Sequence, residues 1–289
     1  MQKKQTSVTF GLIVPRFEDI FHSYYAGEVI KGVSLAASRL QVDVLVHITD
    51  RFDHRAWLDR SLLDRARISG IIFADIDNDL KPVRQTIKAG IPTIVLNNFL
   101  KDPVNCIAID NERITREAIK LLVNAGHKRI ATIAGDLSTQ AGQMRLSGYE
   151  KALKEAKIKV PDGYAQRGDF LRTPARLAAI KLLKMQNRPT AVFAASDVMA
   201  LELMDVAREE GIKVPEELSV IGFDDNPLNR HSPVALTTVS QPLIEMGRLG
   251  VEQLYQIASG RVKAPVKIIL PAKVELRDTI AKLKAGAKV

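Results

Sequence analysis

Hydrophobic positions along the chain alternate between two periods. VTFGLIV (8–14) is a short apolar run closed by Pro15, the mark of a buried strand. Residues 24–40 then place Val29, Ile30, Val33, Ala36, Ala37 and Leu40 at helical spacing, and VDVLVHI (42–48) reads as a strand again. The pair repeats with a helical stretch around 54–67 and GIIFADI (70–76), then with a short helix near 81–89 and TIVL (93–96). Gly90 stands just past that helix and Pro92 follows; glycine supplies a left-handed turn and proline cannot continue the helix. The series resumes with CIAID (106–110), a helix over 111–125, RIATIAG (129–135), a helix over 140–157 and YAQRGDF (164–170). A helix over 174–186, TAVFAAS (190–196), a helix over 197–210, LSVIGF (218–223) and a helix over 243–259 follow. VKIILP (266–271) and KVELR (273–277) read as a pair of closing strands.

Strands alternating with helices of 10–15 residues imply parallel βαβ units with both sheet faces covered. About ten strands are expected, near the limit for one open twisted sheet, so two doubly wound α/β lobes fit better. A closed (β/α)₈ barrel is the rival. The strand count and the closing pair without an intervening helix argue against it. The sequence holds no linker rich in Gly, Ser or Pro, so the lobes must be joined by short crossings, which suits a hinged clam-shell with a ligand cleft. Ligands of such sheets bind outside the carboxyl ends of the strands, so the residues just after each strand carry the functional information.

Composition narrows the class. In 289 residues 46% are hydrophobic and 26% charged, ample for a core and unlike a disordered chain. No apolar stretch approaches 18 residues, so a membrane partner is not expected. The opening MQKKQTSVTFGLIVP has too short an apolar run for a signal peptide, and one cysteine, Cys106, excludes an internal disulfide; both fit the cytoplasm. The net charge of +9 suggests nucleic acid until its placement is considered. Lys3, Lys4, Lys282, Lys284 and Lys288 lie in end segments without acids, leaving 9 − 5 = +4 for the body. Solubilising ends are the simpler account.

Enzyme chemistry is sparse. The chain lacks G-x-x-x-x-G-K-[ST], G-x-G-x-x-G, G-x-S-x-G and H-E-x-x-H. Neither a catalytic residue, a metal ligand set nor a cofactor is expected. His127 follows Gly126 at a helix end, where a cation or a cap is the ordinary explanation. Cys106 reads as buried and inert. Binding chemistry is better supplied. A polyhydroxylated ligand needs carboxylates to accept, Arg or Asn to donate and an aromatic face to stack on. Tyr24 and Tyr25, Asn97 and Asn98, Arg145, Phe170, Ser196 and Asp197, and Asp224 and Asp225 nearly all fall at one edge of the inferred sheets. Each also has a local explanation: a cap for Asn98 or Asp197, core for Phe170, a solvated helix face for Arg145.

These residues also carry a resemblance. GLIVP (11–15), GIPTIVLNN (90–98), AGHKRIATIAG (125–135), RLSGYEKAL (145–153), the run from Pro189 to Asp225 and TTVSQPLIEMGRLGVEQL (237–254) resemble the effector-binding core of the LacI/GalR transcription repressors. The resemblance runs from about Thr6 to Asp278. It implies the type I periplasmic-binding-protein fold, two Rossmann-like lobes with crossings near Asp110, Val239 and Pro271. The implied lobes are 6–109 plus 243–269 and 110–238 plus 271–278, with a basic tail at 279–289. By motif, Arg145 resembles the arginine that grips the effector and Asp224 the aspartate that accepts from sugar hydroxyls. Ser196 and Asp197 match the polar pair that follows TAVFAA, Asn97 the polar residue ending the fourth strand, and Phe170 a stacking aromatic. Phe193 resembles a pocket-lining aromatic, with core packing an equal alternative. The chain reaches GLIVP within eleven residues, so the family's helix-turn-helix and hinge helix are not expected, and operator DNA would be a partner only through such a head. RFEDIFHSYYAGE (16–28) departs from the family's turn, which leaves Tyr24 unanchored.

The expected function is the sensor core of a sugar-responsive repressor, a homodimer whose geometry shifts when a small effector, expected to be a carbohydrate, binds. The helices near 54–67, with Trp57, Leu58, Leu62 and Leu63, and 81–89 are the expected dimer faces. The alternatives are a free binding protein feeding a transporter, an enzyme of the doubly wound class, and a core read by a protein co-effector. Arg16, Arg145 and Arg172 would suit an acidic sugar or phosphate.

Overall fold

Punctuation by glycine and by hydroxyl or acidic caps sets the element boundaries. The computed structural model describes residues 8–15, 23–49, 67–76, 80–227, 234–263 and 265–283. All but the last residue of the expected helix at 54–67, with its apolar residues Trp57, Leu58, Leu62 and Leu63, and Arg16 lie outside them. The first unit comprises Met1–Ile109 and Pro242–Leu270. Its elements are β1 (Thr9–Pro15), α1 (Tyr24–Leu40), β2 (Asp43–Thr49), β3 (Gly70–Phe73), α2 (Lys81–Lys88), β4 (Thr93–Leu96) and β5 (Asn105–Ile109). The second unit comprises Asp110–Gln241 and Pro271–Val289. It holds α3 (Asn111–Asn124), β6 (Ile130–Ala134), α4 (Gln140–Glu155), β7 (Ala165–Arg167), α5 (Arg172–Leu183), β8 (Ala191–Ala194), α6 (Asp197–Glu209), β9 (Ser219–Asp224) and β10 (Thr237–Ser240). The chain then gives the first unit α7 (Leu243–Ala258) and β11 (Lys267–Leu270), and returns to the second for β12 (Lys273–Glu275).

The first sheet runs β11-β5-β4-β3-β1-β2, all parallel, and the second β12-β10-β9-β8-β6-β7, with only β12 antiparallel. The closing strands therefore do not pair with each other, contrary to the sequence reading. β11 lies along β5 and β12 along β10. The apolar run is split at Pro271, the first residue after the chain passes from one unit to the other. The reading also missed β10. Its Thr237 and Thr238 are fully buried although polar, because their hydroxyls are spent on Arg277, Asp197 and Asp225.

Strands β3, β4, β5, β6 and β8 are buried along their whole length, which explains their unbroken apolar runs. Phe10, Ile71, Ile94 and Leu96 anchor the first core; Tyr149, Tyr164, Phe193 and Phe223 anchor the second. The Tyr149 hydroxyl donates to the Ile130 carbonyl at 2.8 Å, which satisfies the one polar atom that ring carries inward. His127 corrects a sequence expectation. It is neither an exposed cation nor a cap but a buried ring, with Nδ1 2.9 Å from Thr190 Oγ1 and Nε2 3.0 Å from Ser219 Oγ. Burial holds its pKa below the ordinary histidine value. Cys106 is buried and free. Among the described residues no helix is long and apolar enough to cross a membrane.

Candidate functional site

Strand order in the second sheet reverses between β6 and β8, the point at which residues beyond the carboxyl ends face an opening. Thr139 caps α4 by accepting from the Gly142 amide at 3.1 Å, which starts the helix directly beyond β6. Arg145, in the second turn, is thereby carried over the reversal point. It is 4% exposed. Its Nε donates to Asn111 Oδ1 at 2.9 Å and its Nη1 to the Ala195 carbonyl, just past β8, at 2.7 Å. The guanidinium carbon lies 3.5 Å from the centroid of the Phe223 ring and 5.6 Å from that of Phe170. A buried guanidinium is tolerated only where such groups replace its water.

Asp224 ends β9 with its Oδ1 3.9 Å from Arg145 Nη1, and accepts from Gln241 Nε2 at 2.7 Å. Burial pushes its carboxyl up to about 7; the Arg145 charge pulls against this and the Asp197 charge adds to it. Asp224 and Asp225 both have positive φ, 131° and 61°, a backbone cost of about 1–3 kcal/mol each. What holds it is a set of structural bonds. Asp225 pairs with Arg277, whose Nη1 also donates to the Leu236 carbonyl at 2.9 Å. Asp197 accepts from the Thr238 hydroxyl at 2.6 Å and from the Asn226 amide at 2.8 Å. Burial raises Asp197 above the usual carboxylate range, and those two donors oppose the rise. A Cβ on Gly222 would lie 2.3 Å from Asp197 Oδ1, so only glycine admits this carboxylate.

The other expected residues of the second unit lie as follows. Ser196 is the N-cap of α6, accepting from the Met199 amide at 3.3 Å. Phe170 sits at φ 62° with its ring where a side chain on Gly135 would be; a Cβ there would lie 2.0 Å from Cζ. Phe193 is fully buried and packs edge-on against Phe223, its centroid 6.5 Å away, behind the ring on which Arg145 stacks. Arg172 pairs with Glu202 on α6 at 2.6 Å.

In the first unit the sheet reverses between β1 and β3. The Tyr25 hydroxyl donates to the Ala74 carbonyl at the end of β3. Tyr24, its neighbour, is half-buried at the first position of α1. Asn97 is buried at φ 65°, its Nδ2 3.3 Å from Asp75 Oδ2 and its Oδ1 without a hydrogen-bond partner among the described residues. Asn98 holds Ile76 from both sides, Nδ2 to its carbonyl at 3.1 Å and Oδ1 from its amide at 3.3 Å. Asp75, Asn111 and Gln241 were not singled out from the sequence. Asp75 was hidden inside a strand read as 70–76 that ends at Phe73, and a shorter strand would have put it at the carboxyl end. Asn111 and Gln241 offer no local signal beyond their positions at element boundaries.

Comparison with known proteins gives a consistent result. Residues 107–280 match the periplasmic binding protein-like domain family. The HTH-type transcriptional regulator DegA of Bacillus subtilis (strain 168) is 32% identical over 284 residues, covering 97% of this chain and 82% of its own. Among solved structures, a complex of the transcriptional regulator CelR with cellobiose is 28% identical with a TM-score of 0.83, covering 95% and 86% of the two chains. The lac repressor dimer bound to operator and the anti-inducer ONPF is 26% identical with a TM-score of 0.85, covering 96% of each.

Proposed function

The chain belongs to the LacI/GalR family of transcription regulators, as its effector-binding core, and on that premise we propose that Arg145 and Asp224 grip a small polyhydroxylated effector. The observation that carries this reading is a buried guanidinium and a part-buried carboxylate 3.9 Å apart at the carboxyl ends of one sheet's strands. Arg145 offers only donors and ionised Asp224 only acceptors, so adjacent hydroxyls can bridge them. Half-buried Phe170 supplies apolar ring surface beside the same guanidinium, which rests on the buried Phe223 ring. Asn97 and Asp75 offer a second acceptor and donor set on the first sheet. The cellobiose complex of CelR supports a carbohydrate as the ligand class. The similar proteins are transcription regulators, which favours this role over an enzyme and over a protein feeding a transporter.

A thermal-melt scan against neutral mono- and disaccharides, sugar acids and nucleosides tests the reading. At least one neutral sugar should raise the melting temperature saturably; stabilisation by sugar acids alone would shift the site to anionic ligands. The chain is also a homodimer in this reading. Symmetric pairs are the commonest assembly, and the lac repressor core of the same fold is a dimer. Light scattering should give about 64 kDa, twice the 31.9 kDa chain, across micromolar concentrations. A constant chain mass would remove the dimer.

A further inference from the structure

The groups that hold Arg145 and Asp224 have something in common. The chain passes between its units at Ile109–Asp110, Gln241–Pro242 and Leu270–Pro271. Asn111, which accepts from Arg145 Nε, is the second residue after the first crossing and the first residue of α3. Gln241, which donates to Asp224 Oδ1, is the last residue before the second. β12 follows the third crossing, and Arg277, two residues beyond it, pairs with Asp225 next to Asp224. Gln241 is 7% exposed; among the described residues its Oε1 is buried without a hydrogen-bond partner, and its side-chain amide donates to Asp224. Asp110 caps α3 by accepting from the Arg113 amide at 3.0 Å, which fixes Asn111 against that cap.

We infer that Asn111 and Gln241 are positioning residues that tie the state of Arg145 and Asp224 to the backbone of the first two crossings. The inference deepens the proposed effector site and rests on it for biological meaning, but the tie itself exists without ligand. Any group that draws Arg145 or Asp224 toward itself must stretch or release these bonds, and the crossing backbone bears the change. Mere packing of the lobe would show no such selectivity, because a packing residue loosens its whole unit.

Hydrogen exchange on the unliganded full chain separates the two. Arg145→Met removes the donor to Asn111, and Asp224→Ala removes the acceptor of Gln241. Amides of 111–114 in the first variant and of 240–246 in the second should exchange about tenfold faster, while β6 and β8 keep their protection. Tyr149→Phe, which deletes a core hydrogen bond in the same unit, serves as the control and should loosen strands and crossings alike. Asn111→Asp keeps the acceptor and should preserve protection at 111–114, whereas Asn111→Leu should lose it. Unchanged crossing amides in both site variants, or a rise matching the Tyr149→Phe pattern, would overturn the inference. Because no ligand is used, that failure is distinct from failure of the sugar scan, which bears only on the effector.

Discussion

Replacing Arg145 by methionine removes a buried charge from the second unit while keeping an unbranched side chain that can lie on Phe223. The losses are two hydrogen bonds from a charged donor, at 2.9 and 2.7 Å, and the stack 3.5 Å above the ring. Each such hydrogen bond is worth about 1.5–3 kcal/mol and a desolvated stack about 2 kcal/mol. Against them stands the cost of burying a guanidinium, several kcal/mol, which methionine avoids. Asp224 softens the loss further. Burial already holds its carboxyl high, so without the Arg145 charge it takes up a proton rather than remain an unpaired anion. The net expectation is a destabilisation of about 2 kcal/mol, or roughly 4–8 °C in melting temperature for a domain of this size. Calorimetric melts at pH 6 and pH 8 check it, with the larger drop at pH 8, where Asp224 loses its countercharge. An unchanged melting temperature at both values would show that the guanidinium is not held as described and would refute the reasoning.

Asp224 and His127 should leave opposite marks on the pH dependence of stability. The folded carboxyl of Asp224 titrates above its unfolded value of about 3.9, so the native state holds a proton that the unfolded chain releases; stability should fall as pH rises from about 4 toward about 7, and Asp224→Asn should flatten that slope in urea midpoints. His127 titrates below its unfolded value of about 6.5, so its contribution is complete above that value and declines as pH falls below it. His127→Gln should remove the decline; a variant with the parent's acid slope would place the slope elsewhere.

The alternation of periods was legible because the strands nearest each sheet's centre are buried on both faces and the helices on one. The helix over 24–40 was read to the residue, since Leu40 precedes a left-handed Gln41 that ends it. Strand pairing was less legible. Nothing local tells VKIILP that its neighbour is β5 rather than KVELR, because pairing depends on which unit the chain has just entered. β10 escaped because its buried positions are threonines whose value as core residues exists only once Asp197 and Arg277 are beside them. At the proposed site, Arg145 and Asp224 stand out in the sequence by their places near strand ends. Their supports, Asn111 and Gln241, were not, because a neutral amide at an element boundary looks the same whether it faces water or a buried charge.

The central claim is that Arg145 and Asp224 hold the effector. The direct test is a calorimetric titration of the most stabilising sugar into the parent chain, Arg145→Met and Asp224→Ala, with all three folded at the working temperature. One site per chain is expected, weakened by about one to two decades in each variant, the equivalent of a hydrogen bond to a charged group. Equal affinity in all three proteins would contradict the claim.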